Sequence, residues 1–146
     1  MFKIFIGQEL PHKKSREEQF EFVKKLHEKI DKPEEVEMFD RAIVSIIICL
    51  PYGCPKNKVW DVDNRAINLI LNNLKGIFFE DDDYFHLSLF VCGKKSLKAD
   101  TVILIDSLSN YAEVMKETMS LLDYWNPPYG FFGTFGNEGA NPEPIS

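Results

Sequence analysis

Ala42-Ile43-Val44-Ser45-Ile46-Ile47-Ile48-Cys49-Leu50 is the longest apolar run in the chain, interrupted by a single serine. It falls well short of the roughly 20 apolar residues that cross a bilayer. Its wealth of Ile and Val fits a pleated, packed environment. The run predicts a buried central strand, and Pro51-Tyr52-Gly53-Cys54-Pro55 directly after it breaks the chain direction.

Upstream of this strand, Phe20, Val23, Leu26 and Ile30 recur at helical spacing with Glu/Lys pairs between them. An amphipathic helix over 16–30 follows, ended by Asp31, Lys32 and Pro33. Before it, Phe2–Ile6 reads as a strand stopped at Gly7, then a polar, basic loop runs to Arg16.

Downstream, Val62, Ala66, Leu69, Ile70 and Leu74 share one face of a helix that opens at Asp61, and Gly76 stands where it stops. Ile77–Phe79 is a short strand and Glu80–Asp83 an acidic turn. Phe85, Leu87, Leu89 and Val91 alternate along the next strand. Gly93–Asp100 is a basic turn, and Thr101–Ile105 returns as a strand, expected to pair antiparallel with the one before it. Tyr111, Val114, Met115, Thr118 and Leu122 mark a last helix. The fold class is therefore α/β (α+β), a small, mixed, largely antiparallel sheet with helices packed on it. One domain over 1–125 is followed by a Gly/Pro/aromatic tail, 126–146, holding Tyr129, Phe131, Phe132 and Phe135.

At 146 residues with 45% apolar content, the chain suits one packed globular domain. Cys49, Cys54 and Cys92 lack C-x-x-C spacing, and His12, His27 and His86 are scattered, so no structural zinc site is written here. The N-terminus lacks the pattern of a signal peptide, which leaves the cytoplasm as the expected compartment and no membrane as a partner. A net charge of −6 argues against indiscriminate nucleic-acid binding. Basic residues nevertheless gather in loops, as Lys13, Lys14 and Arg16, then Lys56 and Lys58, then Lys94, Lys95 and Lys98. That pattern suits positive loops around a negative pocket and equally an ordinary solvated surface.

Acidic residues concentrate as Asp61 and Asp63, ahead of the second helix, and as Glu80-Asp81-Asp82-Asp83 before the following strand. Carboxylates held together repel unless a cation or protons intervene. Hard ions such as Mg²⁺ take oxygen ligands, often few from protein and the rest from water or phosphate. Two plainer roles stand beside this one: Asp61 or Asp63 capping the helix, and the acidic run as a solvated turn.

Taken together, Asp61-Val62-Asp63-Asn64, an apolar helix, Gly76, Ile77-Phe78-Phe79-Glu80-Asp81-Asp82 and an alternating strand resemble the RusA family of Holliday junction resolvases. That family shows a D-x-D-N motif opening a helix, then a glycine, a few apolar residues and a D-D pair before a strand. Phe5–Arg16 is similar to its first strand and basic loop, and Lys94–Lys98 to its basic hairpin. The likeness spans about residues 2–106. It implies a homodimeric endonuclease dependent on Mg²⁺ (or Mn²⁺) that nicks four-way DNA junctions in recombination and repair. Asp61, Asp63 and Asp82 then match the catalytic carboxylates, and Asp61, Asp63, Asp81 and Asp82 the metal ligands. Lys13, Lys14, Arg16, Lys94, Lys95 and Lys98 would contact DNA. Ile67 stands where the family usually carries a lysine. The alternative is a non-catalytic homologue, or an acidic binding or inhibitor protein that uses its acidic surface and aromatic tail as an interface.

Overall fold

The computed structural model describes residues 1–30, 38–55 and 65–122. In chain order these form β1 (Phe2–Phe5), α1 (Arg16–Ile30), β2 (Ala42–Pro51), α2 (Ile67–Leu74), β3 (Leu87–Ser96), β4 (Asp100–Ser107) and α3 (Tyr111–Leu121), with a 3-10 turn at Leu108–Asn110 before α3. The four strands make one mixed, mostly antiparallel sheet in the order β1-β4-β2-β3. The tail, 126–146, lies outside the described residues.

The apolar run at Ala42 is the middle of this sheet, because both of its faces have something to bury against. Ala42, Val44, Ile46 and Ile48 meet the side chains of α1 and α2, together with Ile4, Ile6, Ile103 and Ile105. Ile43, Ile47 and Cys49 turn the other way, against Val102, Leu104 and Val114 under α3. The interrupting serine now has its reason. The Ser45 hydroxyl is fully buried and sits 2.8 Å from the Thr118 hydroxyl of α3, which also donates to the Val114 carbonyl. A buried hydroxyl without such a partner would be costly.

Helix α1 has the predicted bounds, but Phe22, Leu26 and Ile30 are its buried stripe and Phe20 is 75% exposed. Spacings of four place these three on one line, and Phe20 lies well off it. α2 also departs from expectation, since it begins at Ile67 rather than at Asp61. Arg65 instead bridges His12, and the Ala66 N–H donates to the Pro11 carbonyl at 2.9 Å. Those bonds hold the two residues out of the helix. Its N-cap is Ala66, which offers no side-chain cap. Gly76, at φ +85°, gives α2 the left-handed stop that glycine adopts most easily. Phe79 makes only isolated bridges, to Phe39 and Lys75, and no short strand forms there. Phe78 and Phe79 are instead buried plugs beneath α2.

The expected β3–β4 hairpin is also replaced. β2 lies between them, parallel to β3 and antiparallel to β4. Skipping one strand needs about 10 Å, within reach of the short link 97–99. β2, apolar on both faces, gains more from the central position than either partner would.

Cys49, Cys54 and Cys92 form no disulfide with one another, and burial, with Cys49 nearby, pushes the Cys92 thiol up to about 11. No helix among the described residues is long and apolar enough to cross a membrane.

Candidate nucleic-acid interface and acidic turn

Strand directions sort the charged segments onto the two ends of the sheet. β1 runs antiparallel to β4, so the chain leaves β1 where β4 begins. There the Gly7 N–H donates to the Asp100 carboxylate at 2.6 Å, and the Thr101 hydroxyl donates to the Gln8 carbonyl at 2.8 Å. Asp100 stands opposite Cys49, near the end of β2, whose neighbours across the ladder are Lys94 and Lys95 of β3. The loop carrying Lys13, Lys14 and Arg16 and the turn carrying Lys94, Lys95 and Lys98 therefore share one end of the molecule.

α1 and α2 both start at this end. Arg65 fastens the start of α2 to the basic loop. Its side chain is 2% exposed, donating to the Leu10 carbonyl at 2.5 Å and pairing with Glu9 at 2.8 Å. An open groove lined by Lys13, Gln19, Ile67, Asn68 and Asn72 runs beside it. The N-terminus of α2, with no acidic residue in its first turn, adds partial positive charge to the lysines there, whereas Glu17 and Glu18 offset that of α1. Nothing local in the sequence gives Arg65 this clamping role, since its carbonyl partner, Leu10, lies 55 positions earlier.

Asp61, Asp63 and Asn64 lie outside the described residues, as do Lys56 and Lys58. Ile67 is partly buried, packed on the α1/α2 side of the core rather than offering charge.

The acidic run occupies the opposite end, past the C-terminus of α2 and just before Leu87, which pairs with Ala42 at the start of β2. About 23 Å of strand separates Leu87 from Lys94. Asp81 and Asp82 face Lys75, at 3.9 and 3.7 Å, in exposed pairs of little energetic weight. Within the described residues, Asp81 and Asp82 are thus not brought to the start of α2. Among those residues, no group of three or more His, Cys, Asp or Glu side chains is placed to hold a metal ion.

One pairing here was also missed. His86 Nδ1 lies 2.8 Å from Asp83, three residues earlier, and its Nε2 lies 3.9 Å from Glu80. The hydrogen bond to Asp83 raises the His86 pKa above its ordinary value, and the same bond lowers that of Asp83. The signs give the pH window. A raised histidine stabilises fully below its unfolded pKa and loses that contribution as pH climbs through the folded value. A lowered aspartate stabilises above its unfolded pKa and loses that contribution as pH falls through the folded value. The pair is therefore worth most between the lowered Asp83 value and the raised His86 value. An NMR titration of the His86 ring is expected to show an apparent pKa above that of a free histidine. Asp83→Asn should bring it back down, and an unchanged midpoint in that variant would show the pair to be unformed in solution.

Comparison with family models, with curated proteins and with solved structures finds no match to this chain.

Proposed function

We propose that this chain is a metal-dependent endonuclease of the RusA type, working on branched DNA in the cytoplasm, with Asp61 and Asp63 as catalytic carboxylates. The observation that carries the reading is the gathering of Lys13, Lys14, Arg16, Lys94, Lys95 and Lys98 at the end where α2 begins, immediately downstream in sequence of Asp61-Val62-Asp63-Asn64. Lysines and arginines over a phosphate backbone supply affinity by releasing counterions. The carboxylate donor set is all oxygen, which suits Mg²⁺ or Mn²⁺. Such an ion, when bound, activates water and stabilises the leaving oxygen of a phosphodiester. Asp61 and Asp63 would hold it, and the basic loops would fix the strand. The resemblance offers Asp82 as a third carboxylate and Asp81 as a neighbouring ligand, but both sit by Lys75 past the far end of α2, so the reading rests on Asp61 and Asp63.

A synthetic four-way junction, incubated at low salt with Mg²⁺ or Mn²⁺, is expected to be nicked symmetrically. Asp63→Asn should remove most of the rate, since neutralising a carboxylate of the site weakens its hold on the ion that activates water. Lys95→Ala with Lys98→Ala should weaken junction binding and flatten its salt dependence. No cleavage with either ion would remove the reading. Full activity in Asp82→Asn would remove Asp82 alone from it. The second reading, a non-catalytic binding protein, is favoured by Ile67 packed on the core and by Tyr84 and Phe85, 82% and 61% exposed beside the acidic turn. It predicts that a basic partner is bound without any divalent ion.

A further inference from the structure

Phe20 stands on the outer face of α1, 75% exposed, beside the loop that carries Lys13, Lys14 and Arg16. A lone exposed phenylalanine is ordinary, so its surroundings decide what it can do. The loop is fastened to the helix. The His12 carbonyl accepts from the Ser15 N–H at 3.0 Å and from Gln19 Nε2 at 3.1 Å, and the Lys14 N–H donates to His12 Nδ1 at 3.1 Å.

An open hollow results, bounded by Lys13, Lys14, Arg16, Phe20, Val23 and Leu69. It continues past Lys13, Gln19 and Leu69 into the groove that reaches Asn68 and Asn72. Among the described residues Lys13, Lys14 and Arg16 form no ion pair, whereas Lys3, Arg65 and Lys75 each face a carboxylate. Helical spacing sets Arg16 and Val23 on the groove side of Phe20, and Glu17 and Glu21 on its other side. Phosphates are therefore attracted on one flank of the ring and repelled on the other.

We infer that Phe20 is a stacking platform for an unpaired base, and that the hollow beside it carries a single strand of nucleic acid with its phosphates on Lys13, Lys14 and Arg16. Cations alone would serve any polyanion. The exposed ring selects the occupant, because its flat face is matched by the flat face of a base. A duplex keeps its base faces stacked on one another, and an unpaired strand offers them freely. Sequence matters little to such a contact, since every base has a π-face. The inference rests on reading this end of the molecule as a nucleic-acid interface, and it needs no cleavage.

Fluorescence anisotropy of a labelled oligothymidylate of about 15 nucleotides, long enough to fill a typical single-strand site, tests it with the full chain in EDTA at low salt. Phe20→Ala should weaken binding roughly tenfold, the size of one lost stack. Its salt dependence should match the parent's, because no phosphate contact is touched. Phe20→Leu, apolar but without a π-face, should behave like the alanine variant. Phe20→Trp should bind at least as well as the parent, with its added fluorescence quenched by the strand. Lys13→Ala with Lys14→Ala should instead lower the salt slope, for single strand and duplex alike. Circular dichroism matching the parent shows that each variant is folded.

A chain that binds no single strand would overturn the inference, as would equal binding by the parent and Phe20→Ala. So would Phe20→Leu binding as well as Phe20→Trp, or polyglutamate displacing the label as well as an unlabelled strand does. A chain that nicks junctions while ignoring every Phe20 change removes this inference alone. Phe20-dependent strand binding by a chain that nicks nothing removes the nuclease reading alone.

Discussion

Phe78→Ala is expected to lower the unfolding free energy by about 3–5 kcal/mol, the usual cost of truncating a buried phenylalanine. Phe78 is 1% exposed, and its ring meets that of Phe2 at 5.0 Å between centroids, tilted by 59°. Its backbone is fixed too: its N–H donates to the Leu74 carbonyl at 3.0 Å, and its carbonyl accepts from Phe39 at 2.7 Å. With the main chain held on both sides, the pocket has little freedom to collapse around an alanine, and the loss includes the empty volume. Urea denaturation measures it. Phe20→Ala, at a site 75% exposed, should stay within about 0.5 kcal/mol of the parent. Similar losses at both positions would mean that the two phenylalanines do not divide between core and solvent in this way.

Arg65→Met is expected to cost about 2–3 kcal/mol. Methionine keeps most of the apolar stem but cannot donate to the Leu10 carbonyl or neutralise Glu9. An orphaned buried acceptor costs its full desolvation penalty, and bonds to charged groups are the stronger kind. Arg65→Lys should recover only part, since an ammonium does not reproduce the fork of a guanidinium. Hydrogen exchange gives a local readout, because the Ala66 N–H is bonded to Pro11 beside the same clamp. Its protection should fall in Arg65→Met by more than the global loss of stability explains. A methionine variant as stable as the parent would show that the clamp contributes nothing.

The strands and helices were largely legible because periodicity encodes burial. The periodicity places a helix at about 16–30, where α1 runs, and the apolar run starts at Ala42, where β2 starts. The errors share a cause, which is that partners distant in sequence decide what local pattern leaves open. Phe20 and Phe22 are equally apolar, and only the stack with Leu26 and Ile30 settles which one turns inward. Arg65 and Ala66 have helical propensity, yet bonds to Leu10 and Pro11 withdraw them from α2. Two alternating segments joined by a basic turn look like a hairpin, and nothing local reveals that β2 is inserted between them. At the site, the basic clusters were visible as composition, but their common end follows from strand direction. The acidic turn was legible as a cluster, and its distance from the start of α2 was not. Spacing records order along the chain, and the order of strands in the sheet is written in no single segment.

The insertion of β2 between β3 and β4 also bears on how this chain is made. The link 97–99 cannot close a local hairpin as a first step, because the strands it joins touch only through β2. β1 waits longer still, since Ile4 is paired with Ile103. At ~5–20 residues per second of synthesis, roughly 5–20 s pass between the emergence of the two. Throughout that interval Ile4 and Ile6 have no sheet to join, and the nine-residue run from Ala42 is exposed on one side at least. Topologies dominated by such distant pairings fold slowly for their size. Apolar surface exposed for that long favours aggregation, so the yield of folded chain on overexpression is expected to rise when synthesis is slowed by cooling.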